Sequence, residues 1–152
     1  MFIKIISVNN STPNWVTESC KSYLKQLSSE ISIELIEIKP CNLIENKKKK
    51  SKEAEIINKY VSGFFTVALD ENGKSYSSRK FSEKLQKTLE NFSKIAFVIG
   101  GADGLDNEFI KRADLVMSLS ALTLPHHLAK VIIIEQIYRA FCILKNHPYH
   151  RE

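Results

Sequence analysis

Residues 95–106, Ile-Ala-Phe-Val-Ile-Gly-Gly-Ala-Asp-Gly-Leu-Asp, decide how the rest of the chain is read. Ile95 to Ile99 form an unbroken apolar run too short for a core helix, which predicts a strand covered on both faces. Gly100 and Gly101 end the run, Gly104 follows, and a short helix is predicted over about Asn107–Ala113. A strand that needs cover on both faces and leads through glycines into a helix is the unit of a parallel α/β sheet.

The same unit recurs on either side. Upstream, Phe64 to Leu69 is a second nearly all-apolar strand, closed by a polar turn over Asp70–Lys74 and followed by a helix over about Ser78–Phe92. Earlier still, Phe2–Val8 reads as a strand, with Thr12 and Pro13 as N-cap and first position of a helix reaching about Leu27. Ile31 to Ile38 is the next strand, ending at Pro40; a lysine-rich connection and a helix over about Ser51–Val61, stopped by Gly63, complete that part. Downstream, a fifth strand near Leu115–Leu119 precedes a helix over about His127–Leu144 that is apolar around most of its circumference. Such a helix is buried on several sides, in the core or at a subunit interface. Strands alternating with helices predict one domain over residues 1–152, a mostly parallel sheet with helices on both faces. Ligands of such sheets bind beyond the carboxyl ends of the strands, which selects the loops after Leu69, Ile99 and Leu119.

Composition narrows the function. The chain has 152 residues, 43% hydrophobic and 26% charged, with no apolar run near the roughly 20 residues of a membrane helix. The N-terminus lacks a secretory h-region and cleavage site, so a cytoplasmic protein is expected. Cys20, Cys41 and Cys142 are odd in number and far apart, which speaks against disulfides and a thiolate zinc site. Four histidines, His126, His127, His147 and His150, have no acidic or cysteine cluster beside them in sequence, and no metal is expected. The formal charge of +5 suits a polyanionic partner. Much of it lies in Lys47, Lys48, Lys49, Lys50 and Lys52, which read either as an RNA contact or as a solvated loop.

The first βα loop, Ser7 to Pro13, has no glycine, and no G-x-x-x-x-G-K-[ST] occurs, which excludes a standard dinucleotide site and a P-loop. IGGADGLD alone reads equally as a ligand loop or a tight turn. In LSLSALTLPHHLAK, leucines alternate with hydroxyl residues, as in a pocket wall for an adenine-like ring or in a buried connection. Glu135 and Arg139 have the spacing of a helical ion pair, and the arginine could also face a phosphate.

Taken together, IGGADGL, SLSALTLPHHLAKVIIIEQIYRAF and the terminal NHPYHRE resemble the RlmH family of SPOUT methyltransferases. SVNNSTPNWV, ELIEI and LDENGKSYSSRKFSEKL resemble the same family, so the likeness spans essentially the whole chain. It implies a minimal SPOUT domain whose C-terminal part is threaded into a deep trefoil knot. It further implies a homodimer that uses S-adenosyl-L-methionine to methylate N3 of a pseudouridine in 23S rRNA of the assembled ribosome. Carried over by motif, the cofactor residues are Leu69, Gly101, Ser120, Ala121, Leu122, Thr123, Leu124 and Pro125. This chain departs from the family in having Lys130 where arginine is more common and Asn146 where glycine is common. The transfer needs no protein nucleophile, only alignment and help in removing the N3 proton. His150, Arg139 and Tyr149 are the expected catalytic group, with Arg139, Tyr149, His150 and Arg151 contacting RNA by stacking and phosphate pairing. The competing readings are a non-catalytic ribosome- or RNA-binding module and a flavodoxin-like nucleotide-binding domain.

Overall fold

Alternate residues of the deciding strand face two different cores. In the computed structural model, which describes residues 1–27 and 29–151, the elements in chain order are β1 (Phe2–Val8), α1 (Asn14–Gln26), β2 (Ser32–Ile38), α2 (Asn46–Val61) and β3 (Phe65–Ser75), followed by α3 (Ser78–Phe92), β4 (Lys94–Ile99), α4 (Asn107–Arg112), β5 (Leu115–Ser118) and α5 (His126–Leu144). Ile95, Phe97 and Ile99 of β4 pack with Ile133, Ile134 and Ile137 of α5, Val16 of α1 and Leu85 of α3. Ala96 and Val98 point the other way, toward Ala54 and Ile57 of α2 and Phe109 of α4. The five strands are parallel, in the order β2-β1-β4-β3-β5. Burial of a whole apolar strand therefore has its physical outlet: helices cover both faces.

Because every strand is parallel, every following helix begins at the same carboxyl edge, and the loops after β1, β3, β4 and β5 gather there. After β5 at one edge of the sheet, the chain returns to its centre, where α5 packs between α1 and α3 and against β1 and β4.

Three local expectations are corrected. Thr12 is not the N-cap of α1; Pro13 holds that position with no side-chain cap, because the Thr12 hydroxyl accepts from Asn9 Nδ2 and donates to Glu37. Ser7 Oγ donates to Asn9 Oδ1 (2.7 Å), so this first loop is braced by side chains where a nucleotide-binding fold would have glycines. The lysine run is not a loop. Helix α2 starts at Asn46 and includes it, since lysine is a good helix former and Glu53, Ala54 and Ile57 bury one face. Nor does β3 stop at Leu69: Leu69 pairs with Met117 and then Lys74 pairs with Met117 again, so residues 70–73 form a bulge inside one long strand. Gly73 permits it, because a Cβ there would lie 2.7 Å from the Met117 backbone. Helix α5 also buries a charge, Lys130, at 2% exposure. At its end, Asn146 takes the left-handed conformation (φ 55°) and closes a paired cap, with Asn146 N–H donating to Ile143 O and His147 N–H to Cys142 O.

Candidate functional site

The three loops selected from the sheet argument line one cavity of about 350 Å³. From the β3 bulge come Leu69, Asp70 and Glu71; from the β4 loop, Ile99 to Gly104; from the β5 loop, Leu119, Ser120, Leu122, Thr123 and Leu124; His126 and Ala129 of α5 close it. The volume lies in the range of small-ligand sites. Thr123 Oγ1 donates to Glu71 Oε2 (2.9 Å), tying the β5 loop to the bulge. Within the β5 loop, Ser118 Oγ donates to the Ser120 carbonyl (2.8 Å) and Leu122 N–H to Ser120 Oγ (2.9 Å), so the serines shape backbone. Leu122 is left 74% exposed at the cavity rim, an apolar side chain without protein cover.

In the β4 loop, Gly104 N–H donates to Gly101 O (3.0 Å) and the two residues bridge, a tight turn placed against the cavity. The steric demand falls on Gly100, where a Cβ would sit 2.6 Å from the Gly104 carbonyl carbon. At Gly101 a Cβ would meet Val8 Cγ1 at 3.4 Å, an ordinary contact directed at β1. Gly101 thus lines the cavity through its backbone, while the direction a Cβ would take is toward Val8 of β1. Ala121 and Pro125 are on the same loop but outside the lining; Pro125 caps α5.

Electrostatically, the wall carries three carboxylates, Asp70, Glu71 and Asp103, and one imidazole. Burial, then His127 and Lys130, holds the His126 imidazolium below the usual pKa of 6.5, so the ring favours its neutral form. Among the described residues no cluster of three or more His, Cys, Asp or Glu side chains is arranged to hold a metal.

The expected catalytic group assembles elsewhere. Arg139 donates to Glu135 Oε1 from Nε (2.9 Å) and Nη2 (2.6 Å). Tyr149 hydroxyl donates to the same oxygen (3.0 Å), and its ring lies 4.7 Å from the guanidinium carbon. Arg139 Nη1 is 3.2 Å from His150 Nδ1. A guanidinium only donates, so Nδ1 is the acceptor in this contact. Burial, then Tyr23 and Glu135, pushes the Tyr149 phenol well above its ordinary value, so it stays a donor. Arg139, Tyr149 and His150 are therefore brought together, while Arg151 is exposed beyond them. None of the four lines the cavity of its own chain. Arg139 lies about three helical turns, roughly 15 Å, along α5 from Ala129.

A family model described as "Predicted SPOUT methyltransferase" matches residues 1–150. The chain belongs to the SPOUT methyltransferases. It also falls within a narrower family: proteins named Ribosomal RNA large subunit methyltransferase H from Chromobacterium violaceum and Dechloromonas aromatica are 41% and 39% identical to it. Both matches span 100% of this chain, and 100% and 99% of those proteins. Among solved structures, a probable methyltransferase from Bordetella pertussis Tohama I superposes with TM-score 0.61 at 14% identity, covering 91% of this chain and 95% of that one. A probable methylase family protein from Haemophilus influenzae Rd KW20 gives 0.60 at 14% identity over 99% and 70%. These two speak to the fold alone.

Sequence reasoning had not singled out Asp70, Glu71, Asp103 and His126 as cavity residues of this SPOUT methyltransferase. The three acids looked like turn residues, and only the bulge and the tight turn bring them to face one space. Lys130 and Glu37, joined at 2.8 Å, were equally hidden, because nothing local marks a lysine as buried.

Proposed function

We propose that the chain is a single-domain, S-adenosyl-L-methionine-dependent methyltransferase that methylates N3 of a pseudouridine in 23S rRNA, acting as a homodimer on the assembled ribosome in the cytoplasm. The observation that carries the reading is the meeting of three carboxyl-edge loops in one cavity with apolar walls, backbone polar groups and a carboxylate rim. Leu69, Ile99, Leu119 and Leu124 offer a slot for an adenine ring, with Leu122 as a cover. The backbone of Gly100 to Gly104 and of Ser120 offers donors and acceptors to its edge. Asp70, Glu71 and Asp103 suit a ligand bearing sulfonium and ammonium charges and disfavour a phosphate. A nucleotide-binding domain would want the opposite sign. When bound, the cofactor supplies an electrophilic methyl group; the chain's part is to align it and exclude water.

The return of the chain from β5 to α5, tied by Thr123 to the β3 bulge, supports the trefoil knot the family likeness implies. The name shared by the relatives supports ribosomal RNA as the substrate. Distance supports the dimer: none of Arg139, Tyr149 and His150 lines the cavity of its own chain, and Arg139 lies roughly 15 Å along α5 from it, which favours their delivery to the reacting base by a second copy. In that arrangement Tyr149 stacks on a base, Arg139 and Arg151 meet phosphate, and His150 handles the N3 proton.

Calorimetric titration tests the first step. Binding of S-adenosyl-L-methionine at one site per chain is expected, and a folded protein that gives no binding returns the choice to a non-catalytic RNA-binding module.

A further inference from the structure

The cavity rim is acidic, yet the proposed substrate is a polyanion, so attraction of that substrate has to come from another surface. Residues 45–52 hold five lysines and one glutamate, a net +4 in eight residues, against +5 for the entire chain. They form the first two turns of α2, which begins at the same carboxyl edge as the cavity. Lys49 fixes that proximity: its Nζ pairs with Asp103 Oδ2 at 3.1 Å, and Asp103 is a cavity residue. Glu53 Oε2 accepts from Cys41 N–H (3.0 Å), anchoring the helix to the loop after β2.

The arrangement costs the isolated chain stability. Lysines in the first turn oppose the helix dipole, offset at the N-cap by the exposed Glu45, and Lys48 and Lys52 repel at i,i+4. The pairs Lys48–Glu45 (3.2 Å) and Lys52–Glu55 (3.6 Å) are exposed and worth little. A phosphate backbone laid along this end of α2 relieves both penalties.

We infer that the amino-terminal turns of α2 form a docking ridge for the ribosomal RNA backbone, with Lys47, Lys48, Lys50 and Lys52 neutralising phosphates while Lys49 holds the ridge beside the cavity. The inference rests on the ribosomal reading above and names the surface that serves it. It assigns substrate capture and chemistry to different parts of the same edge.

The test is the variant K47Q/K48Q/K50Q/K52Q, which leaves Lys49 in place and exchanges one good helix former for another. Its melting temperature should equal or exceed the parent's, and its affinity for S-adenosyl-L-methionine should be unchanged. Its dissociation constant for ribosomes should rise roughly tenfold or more, and the log–log salt dependence of binding should become shallower by about 3. In turnover the loss should fall on KM for ribosomes, with kcat at saturation within about twofold of the parent. Unchanged ribosome affinity and salt slope overturn the ridge. So does a loss confined to kcat, which would make the lysines part of the chemistry. If the variant binds ribosomes weakly but protein-free large-subunit RNA as well as the parent does, the lysines face a ribosomal protein and the RNA assignment fails. Methylation by the parent, measured alongside, tests the ribosomal reading separately, because the binding comparison does not depend on turnover.

Discussion

Lys130 Nζ donates to Glu37 Oε1 at 2.8 Å, joining the core helix α5 to the end of β2, and the two partners are unequally buried: the lysine side chain is 3% exposed and the carboxylate 43%. That asymmetry predicts unequal mutants. Glu37→Gln strands a buried ammonium and should cost about 2 kcal/mol, less than the roughly 3–5 of a fully buried pair because water reaches Glu37. Lys130→Met leaves a carboxylate that water can solvate and should cost less than about 1 kcal/mol. Lys130, then Thr12, holds the Glu37 carboxyl below its ordinary 4.5. Its contribution is therefore complete above pH 4.5 and is lost as pH falls through the folded value. Melting curves between pH 3 and 7 check both points: the gap between parent and Glu37→Gln should close toward acid, and a gap constant in pH contradicts the pairing.

The glycine pair should separate cleanly. Gly100→Ala forces a Cβ to within 2.6 Å of the Gly104 backbone and should open the β4 turn, lowering both stability and cofactor affinity. Gly101→Ala meets only Val8 at ordinary contact distance and should bind S-adenosyl-L-methionine within about twofold of the parent. Calorimetry on the two variants decides it; equal losses would mean that Gly101, too, borders the ligand.

Much of this was legible in the residues. Ile95–Ile99 and Phe64–Leu69 announced doubly covered strands, because burial on both faces leaves no room for polar alternation. The three loops that line the cavity followed from parallel topology alone. What stayed hidden depended on tertiary placement. The extension of β3 past Leu69 is paid for by pairing with Met117, which no local pattern at Asp70–Lys74 encodes. The start of α2 at Asn46 was masked because a solvated helix face and a loop share a composition. Distance between Arg139 and the cavity was invisible until α5 had a direction, and that distance, more than any motif, argues for a second copy.

His126 gives the site a pH signature. Its ring lines the cavity and has its pKa lowered from 6.5 by burial, then by His127 and Lys130, while Asp70, Glu71 and Asp103 share the same wall. Protonation would set a cation against a cationic ligand. Affinity for S-adenosyl-L-methionine should be flat above about pH 6.5, the ordinary histidine value, and should fall as pH drops through the lower folded value. In His126→Asn the part of that fall due to the imidazole should vanish. An identical profile in the two proteins removes His126 from the ligand's surroundings.

Deleting Tyr149 to Glu152 removes two partners of the Arg139–Glu135 pair without touching the cavity lining. The truncated chain should bind the cofactor nearly as well as the parent and fail to methylate ribosomes. Leu122→Arg, at the exposed rim of the cavity, should do the reverse and abolish cofactor binding. Mixed and allowed to exchange subunits, the two inactive chains should recover a fraction of parental activity, because one supplies the cavity and the other the tail. No recovery, with mixed dimers demonstrated by sedimentation, contradicts the composite site.

Incubation of the purified protein with assembled ribosomes lacking the modification and with S-adenosyl-L-methionine carrying a labelled methyl group, followed by mapping of the label by mass spectrometry, tests the function itself. The expected result is one methyl group at N3 of a single pseudouridine of 23S rRNA, acquired by assembled ribosomes. Label found at another position or in another RNA, or none at all from protein that binds the cofactor, contradicts it.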